Sequence, residues 1–297
     1  MALSTTDKAL IEAKAYTYSH NYAYYSLILG EPFIRDNFLF FFDGKMLSIN
    51  TYFLEPGPAL NLAKLKNTIR EIAEAFKPEG ICIWGPRRDE DLISPPNGWT
   101  RFCLADPHEF NRDLALILPT FRPHTVPHLE QALHSARRNG ISIVNRAAGP
   151  FSVGHISPLE EAVARNNPDL FTRVFYSILP TWLITSESGL VFEAWQGSQL
   201  LGYVILDLVL PNLPIYLAGF SSTSSIMDVL FNAMIGYCTE NGHEKLVLGH
   251  SHQGETYRYK MKWGQYITQD AFWRFAFFCP RASISSKNYT WDSRVLL

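Results

Sequence analysis

The sequence predicts an α+β fold of two similar units, each a mostly antiparallel sheet flanked by helices. Three observations lead there. Apolar residues make up 47% of the 297 and charged residues 18%, which supplies one or two ordinary cores and excludes intrinsic disorder. At roughly 150 residues per domain, two domains are the natural division. The same element order also occurs twice: helices, an antiparallel hairpin, then strand–helix–strand. The expected units are residues 1–140 and 141–297, joined near 139–146.

In the first unit, Asn37–Phe42 (with the run Phe38-Leu39-Phe40-Phe41-Phe42) and Met46–Phe53 flank Asp43-Gly44. Asp-Gly suits the positive φ of a two-residue turn, so these runs read as paired strands. Leu62, Leu65, Ile69, Ile72, Ala73 and Phe76 then recur at spacings of three and four, a helix stopped by Pro78 and Gly80. Ile81–Trp84 is a short buried strand closed by Gly85-Pro86, and residues 94–98 form a loop. Strands over Arg101–Leu104 and Leu114–Leu118 precede a helix over His128–Asn139, which Gly140 ends.

In the second unit Ile141–Val144 is a strand and Ser157-Pro158 with Glu160 a helix start, because proline fits the first turn and serine caps it. Helical character continues over Leu170–Leu183. Leu190–Trp195 and Leu200–Leu208 form a hairpin around Gln196–Gln199, and Ile215–Phe220 is a third strand. Ile226, Val229, Leu230, Ala233, Met234 and Tyr237 share one helix face, with Ser225-x-x-Asp228 placed to satisfy its first N–H groups and Asn241-Gly242 to end it. Lys245–Leu248 is a strand, Glu255–Trp263 a helix, and Ile267–Phe278 holds the last strands.

Charge narrows the function classes. Lys and Arg number 26 against 28 Asp and Glu, so no global basic field exists and a nucleic-acid coat protein is excluded. One local bias survives. Residues 141–242 hold 3 basic and 8 acidic groups, whereas residues 243–297 hold 8 and 4, which leaves a limited cationic end. Cys82, Cys103, Cys238 and Cys279 form no C-x-x-C pair, so neither a zinc site nor a disulfide framework is expected. Early charges and the lack of an apolar run near 18 residues argue against a signal peptide or a membrane span. The expectation is a soluble, reduced, cytoplasmic protein.

Dinucleotide, P-loop, serine-hydrolase and zincin motifs are all missing, and no cofactor is expected. Of the histidines, His124 and His128 sit among prolines and His250 and His252 at a strand end, without the cysteines or carboxylates of a metal site. The loop 219–225 joins a strand to a helix and is rich in serine. Ser224 and Ser225 there either cap the helix or help its N–H groups hold an anion. The sharpest segment is 249–264, where a strand end, a loop with Gly254 and a short helix carry Tyr257-Arg258-Tyr259-Lys260-Met261-Lys262-Trp263-Gly264. At helical spacing Arg258 and Lys262 share one face, Tyr259 and Trp263 another. Two readings stay open: an amphipathic helix with aromatics inward and cations in water, or cations meeting an anionic substrate group.

That run resembles the Tyr-Arg-Phe-Lys-x-x-Phe-Gly motif of Fem-type peptidyltransferases and related GNAT-fold proteins. The elements from Ile226 to Gly249 match the same framework in order and spacing, and Ala132–Ile143 is similar to the segment that ends the first half in that group. The resemblance implies two tandem GNAT-like units. It also implies an acyltransferase that moves an acyl group, often an amino acid from aminoacyl-tRNA, onto an amine. Lys260, the motif lysine, would hold substrate phosphates or charge at the reaction centre. The loop 219–225 lacks the glycine pattern with which GNAT acetyltransferases cradle coenzyme A, so the 3′ end of aminoacyl-tRNA is expected ahead of an acyl-thioester as donor. The acceptor would be a small-molecule or peptide amine. A non-catalytic tandem module that binds a partner is the rival reading.

Direct attack of an amine on an activated acyl group needs positioned substrates, a base and donors for the oxyanion. Lys260 is expected to stabilise charge, and the backbone N–H groups of strand 200–208 to polarise the carbonyl. Asp207, Glu255 and His250 are the candidate bases, none preferred; strand alternation does not settle whether Glu193 and Asp207 point inward or outward, and a surface carboxylate is the expectation for either. Tyr257, Arg258, Lys262, Ser224 and Ser225 are the candidate substrate-binding residues.

Overall fold

In the first unit a helix, α1 (Thr5–Lys14), is capped by Ser4, whose hydroxyl accepts the Asp7 N–H while Asp7 returns the bond. The computed structural model describes residues 3–15, 20–50, 62–86, 98–105, 112–150, 156, 159, 161, 170–251, 255–263 and 273–280. The expected helix start at Ser157-Pro158, the loop at 94–97 and the start of the strand at Ile267 lie outside them.

After α2 (Tyr22–Leu29) come β1 (Glu31–Arg35), β2 (Phe38–Phe42) and β3 (Met46–Asn50), then α3 (Leu62–Phe76) and β4 (Gly80–Pro86). The β2–β3 hairpin is the expected one, although its tight turn is centred one residue later, with the Asp43 N–H directed at the Met46 carbonyl. Strand β1 is an element that the sequence pattern does not reveal. It pairs antiparallel with β2 from Glu31↔Phe42 to Arg35↔Phe38. Asp36 and Asn37 close that hairpin with φ of 53° and 67°, the two positive values that a type I′ turn demands. Pro32 costs no ladder hydrogen bond because β1 is an edge strand.

β5 (Trp99–Ala105) and the late strand β12 (Trp273–Pro280) complete a six-stranded sheet in the order β1-β2-β3-β4-β12-β5. Its one parallel contact, β3 with β4, runs unbroken over five residue pairs from Met46↔Gly80 to Asn50↔Trp84. Phe40, Phe41, Leu47, Ile49, Leu65, Ile69, Ile81 and Ile83 are buried in this unit.

The second sheet has the order β6-β11-β10-β9-β8-β7. Its strands are β6 (Arg112–Ile117), β7 (Ile141–Ala147), β8 (Gly189–Gln196), β9 (Gln199–Asp207), β10 (Ile215–Ser221) and β11 (Lys245–Ser251). The helices are α4 (Leu129–Arg138), α5 (Leu170–Ser177), α6 (Leu179–Thr185), α7 (Ser224–Glu240) and α8 (Glu255–Met261). The helical character expected over Leu170–Leu183 is present as two helices that break at Ile178, with Pro180 in the first turn of the second. Helices α4 and α7 cover one face through Leu129, Ile226, Leu230, Phe231 and Met234 against Phe192, Ala194, Val204 and Leu206.

The fold is therefore α+β, with two mostly antiparallel sheets flanked by helices. Two compact units follow: residues 1–111, 169–174 and 270–297, and residues 112–168 and 175–269. They exchange one strand each across residue 140, since β6 precedes it yet hydrogen-bonds to β11, and β12 follows it yet hydrogen-bonds to β4. By order, β1-β2-β3-α3-β4 corresponds to β8-β9-β10-α7-β11. With β1 counted, the β2–β3 hairpin corresponds to β9–β10.

Candidate functional site

The candidate site is built where β10 and β11 part. These strands are parallel and share one register pair, Ile215↔Val247, with the Val247 N–H donating to the Pro214 carbonyl at 2.9 Å. Beyond that point each strand follows its outer neighbour. The β10–β9 register shifts between Tyr216 and Ala218, and the β11–β6 register shifts between Val247 and Gly249. Each bulge inserts an extra residue and bends its strand, so the two strands diverge and leave facing backbone edges. Gly249 sits past the second bulge at φ 75°, a conformation that other residues adopt only under strain.

Helix α8 places Lys260 at this opening. Its side chain is buried, and Nζ donates to the carbonyl of Leu248, the extra residue of the β11 bulge. Nζ also stands 5.7 Å from the centroid of the Tyr216 ring. A buried ammonium needs such partners because it has left water. Burial pushes the Tyr216 phenol far above its ordinary range, with neighbouring Tyr176 and Tyr203 adding to the shift. Tyr216 is thus a neutral hydroxyl at any physiological pH, a donor and not a phenolate. Gly219 makes room for it: a Cβ there would lie 3.0 Å from the Tyr216 hydroxyl and 3.1 Å from the Tyr203 carbonyl oxygen.

A second polar cluster anchors α8. Asp228, buried on α7, accepts the Tyr259 hydroxyl at 2.9 Å and pairs with Lys262. The expected capping role of Asp228 is corrected by this. Thr223 is the N-cap, its Oγ1 accepting the Ile226 N–H, while Asp228 reaches across to α8. Lys262 further lies 4.4 Å from the Tyr259 ring centroid. Tyr259 and Trp263 pack against Phe231, with ring centroids 5.2 and 5.4 Å away.

Of the amphipathic reading of the motif helix, the aromatic half holds and the cationic half does not. The aromatics point inward, Trp263 completely so, but of the cations only Arg258 is exposed. Lys260 and Lys262 are drawn into the structure by a carbonyl and a carboxylate, which a pattern of spacing does not disclose. Tyr257 is half-buried against the same core. Ser224 and Ser225 are exposed at the start of α7, and the Ser225 hydroxyl is 3.0 Å from that of Thr223.

The carboxylates also move from their expected setting. Neither Asp207 nor Glu193 is on the surface; both are fully buried. Asp207 Oδ1 accepts the Ser188 hydroxyl at 2.6 Å and the Val209 N–H at 2.9 Å, bracing the base of the β8–β9 hairpin. It pairs opposite Ile215, at the closed end of the β10–β11 contact. Glu193 is paired with Arg146 at 2.7 Å and accepts the Trp195 indole N–H at 2.9 Å. Because Phe192 and Ala194 face α7, alternation turns Glu193 to the other face of the sheet. His250 lies on β11 opposite Asp113, and Glu255 opens α8; their side chains lie outside the described residues.

The oxyanion donors expected on strand 200–208 are corrected as well. Strand β9 is interior, laddered to β8 on one side and β10 on the other, so its N–H groups are consumed. Among the described residues, the facing edges of β10 and β11 beyond Ile215 and Val247 carry backbone groups that no ladder takes up.

No protein-family model matches the chain, and no curated protein matches it. Solved structures do. A conserved protein of unknown function from Bacteroides thetaiotaomicron is 14% identical, with a TM-score of 0.58 over 95% of this chain and 99% of the other. The C-terminal domain of a protein assigned as a lysylphosphatidylglycerol synthetase from Agrobacterium fabrum is 11% identical, with a TM-score of 0.51 over 91% and 90%. A tandem GNAT protein from the clavulanic acid biosynthesis pathway aligns at 14% identity and a TM-score of 0.46, over 81% and 77%. The first two likenesses are likenesses of fold. Among the described residues, no helix is long and apolar enough to cross a membrane.

Proposed function

We propose that the chain is an amide-forming acyltransferase of the GNAT-like clan, with the reaction centre in the second unit. The observation that carries this reading is the opened parallel pair β10–β11 with the Lys260 ammonium at its bulge carbonyl. An activated acyl group laid along those strand edges meets backbone N–H groups, the Lys260 ammonium and the neutral Tyr216 hydroxyl, the donors that a developing oxyanion requires. The acceptor amine attacks the acyl carbon, the ester or thioester bond breaks, and the leaving oxygen or sulfur departs as the amine gives up its proton.

The donor we favour is aminoacyl-tRNA, whose 3′ end presents an ester and a single-stranded terminus. Support comes from the start of α7, where Thr223 already takes the Ile226 N–H and the glycines of a pyrophosphate cradle are missing. The fold likeness to a domain from an assigned lysylphosphatidylglycerol synthetase agrees with an aminoacyl donor. The cationic footprint is narrower than composition implies, because Lys262 is engaged by Asp228 and Arg258 is the exposed cation of the motif helix. Binding of tRNA should therefore be weak and steeply salt-sensitive. The Fem-type motif and the partition of roles among Lys260, Glu255, His250 and Asp207 belong to the same proposal.

Mass spectrometry of candidate amine acceptors, incubated with the protein, charged tRNA and acyl-thioester pools, tests it. A product that disappears with ribonuclease supports the tRNA donor. A product that survives complete digestion and continues with a purified thioester replaces that donor with acyl-thioester. No product from either pool favours the binding-module reading, in which Lys260 simply closes the gap with the Leu248 carbonyl.

A further inference from the structure

We propose that Arg137 and Arg138, in the last turn of α4, form a docking surface for the sugar–phosphate backbone of the donor RNA. The proposal rests on the aminoacyl-tRNA reading above and extends it to a surface outside the reaction centre. The place of α4 is fixed by its partners. Ala132 and Ala136 pack with Val229 of α7 and with Ile141 and Ile143 of β7. Just past the helix, the Asn139 carbonyl accepts a side-chain N–H of Gln196 at 3.0 Å. Gln196 pairs with Gln199 across the β8–β9 turn, Gly202 pairs with Ser221, and the Ser222 N–H donates to the Leu201 carbonyl. The last turn of α4, the β8–β9 turn and residues 221–225 therefore share one end of the second sheet. It is the end toward which β10 and β11 open.

Charge is divided along the strands. Four cations of the second unit are engaged: Arg146 by Glu193, Lys262 by Asp228, Lys260 by the Leu248 carbonyl, and Arg122 by the carbonyls of Pro119 and Phe121. Arg137 and Arg138 are exposed, and among the described residues no partner holds either side chain. The rim made by residues 137–140, 196–199 and 221–225 contains these two arginines and no acid. Exposed Glu187, Glu240 and Glu244 stand at the closed end, where Gly189 pairs with Asp207 and the Glu244 carbonyl takes the Leu118 N–H, and Glu130 lies in the first turn of α4 there. Cations in a last turn complement the helix dipole, which accounts for basic residues on α4 but not for a neighbouring turn and loop without acids. Guanidinium groups grip phosphate oxygens in pairs, and Asn, Gln and Ser side chains contact phosphate and sugar without reading bases. The rim holds no apolar side chain that would enter a membrane, so RNA fits it better than an anionic lipid surface. From β7 to the opening is three to four strand spacings, about 17 Å. The pair would thus hold backbone upstream of the 3′ end and not the reacting ester.

Fluorescence anisotropy of labelled tRNA with the full chain, repeated across a salt series, tests it. Parent binding should be saturable. Arg137→Gln together with Arg138→Gln should weaken it about tenfold at low salt and reduce the log–log salt slope by about 1.5–2, at an unchanged melting temperature. Arg122→Gln together with Lys245→Gln removes the same charge at the closed end and should stay within about twofold of the parent. Because the arginine pair stands away from the ester, the loss should appear in KM for charged tRNA and leave kcat at the parent value. Ribonuclease-sensitive product combined with parent-like affinity and slope in the double variant, or with an equal loss in the closed-end control, overturns the proposal and leaves the donor reading standing. A parent that neither binds tRNA saturably nor forms ribonuclease-sensitive product overturns both. Loss of binding to phosphatidylglycerol vesicles by the double variant, with tRNA binding intact, assigns the surface to lipid and overturns the proposal as well.

Discussion

Both units contain one parallel strand pair joined by a helix, and the two pairs behave oppositely. In the first unit β3 and β4 remain zipped over five residue pairs. In the second, β10 and β11 touch at one and then part, because a bulge bends each toward its outer neighbour. The helix connection is alike and the outer strand antiparallel in both. What differs is local: two inserted residues, Leu217 and Leu248, and a buried lysine that meets the carbonyl of one of them. A repeated architecture can thus be specialised by bulges alone, one copy kept closed and the other opened to present backbone edges. Chemistry is expected in the opened copy.

The largest effect should come from Lys260→Met. It retains length and apolar bulk while removing the ammonium from the opened pair. Loss of an electrostatic contact at a reaction centre costs about 10²–10³ in turnover, so the acyl-transfer product should fall by that factor. Stability should move the other way or not at all, since replacing a buried charge with an apolar side chain is often neutral or favourable. Thermal melting alongside product quantification checks both. Parent-like turnover in this variant would erase the functional contrast between the two sheets.

Next in size is the anchor of α8. Asp228→Ala strands Lys262 and the Tyr259 hydroxyl in a mostly buried setting, at a cost of about 2–3 kcal/mol. Chemical denaturation of Asp228→Ala, Lys262→Ala and the double variant resolves the pair. A coupling near zero would mean that α8, and Lys260 with it, is held by Trp263 and Tyr259 packing alone.

Much of this architecture is legible in the sequence, and the exceptions have physical reasons. The α3 and α7 stripes and the β8–β9 hairpin follow from periodicity and turn residues, which are local properties. Strand β1 escaped because Pro32 breaks the strand signal and because Asp36-Asn37 is a weaker turn sign than Asp-Gly. The bulges are invisible to composition, since a bulge is a relation between two strands. Burial of Lys260 and Lys262 was likewise hidden, because helical spacing assigns faces but not what stands opposite them. Asp228 carried no signal of its partners: helical spacing sets it opposite the Ile226–Leu230–Ala233 stripe, beside the helix start, and does not disclose Tyr259 of α8 and Lys262 just after it.

A smaller effect is expected from Gly219→Ala. The new methyl would meet the Tyr216 hydroxyl and Val204 Cγ1 at 3.0 Å and the Tyr203 carbonyl oxygen at 3.1 Å. The backbone yields little, so the Tyr216 and Val204 side chains must give way by a few tenths of an ångström. Overpacking of this kind costs about 1–2 kcal/mol, read as a lower denaturant midpoint together with reduced product. A parent-like midpoint would show that the opened pair has slack enough to take the methyl group.

The smallest effect sets the two units against each other through one thiol each. Cys82 lies on β4 within the zipped pair, and Cys238 is buried near the end of α7. Burial pushes each thiol up to about 12, against about 8.5 in an unfolded chain. Both groups are therefore neutral in the fold and ionise more easily once it opens. Their contribution to stability is complete below about pH 8.5 and is lost as the pH rises from there toward about 12. Between pH 8 and 9.5, before tyrosine ionisation contributes strongly, each thiol should account for about 1 kcal/mol of alkaline destabilisation. Urea midpoints across that interval for the parent, Cys82→Ala and Cys238→Ala measure it, because the cavity left by each substitution is independent of pH and cancels from the slope. Equal flattening of the slope by the two variants is expected, because each removes one thiol pushed up by burial. If Cys238→Ala leaves the slope unchanged while Cys82→Ala flattens it, the end of α7 opens locally before the unit unfolds, and the contrast between the closed and opened sheets extends from geometry to stability.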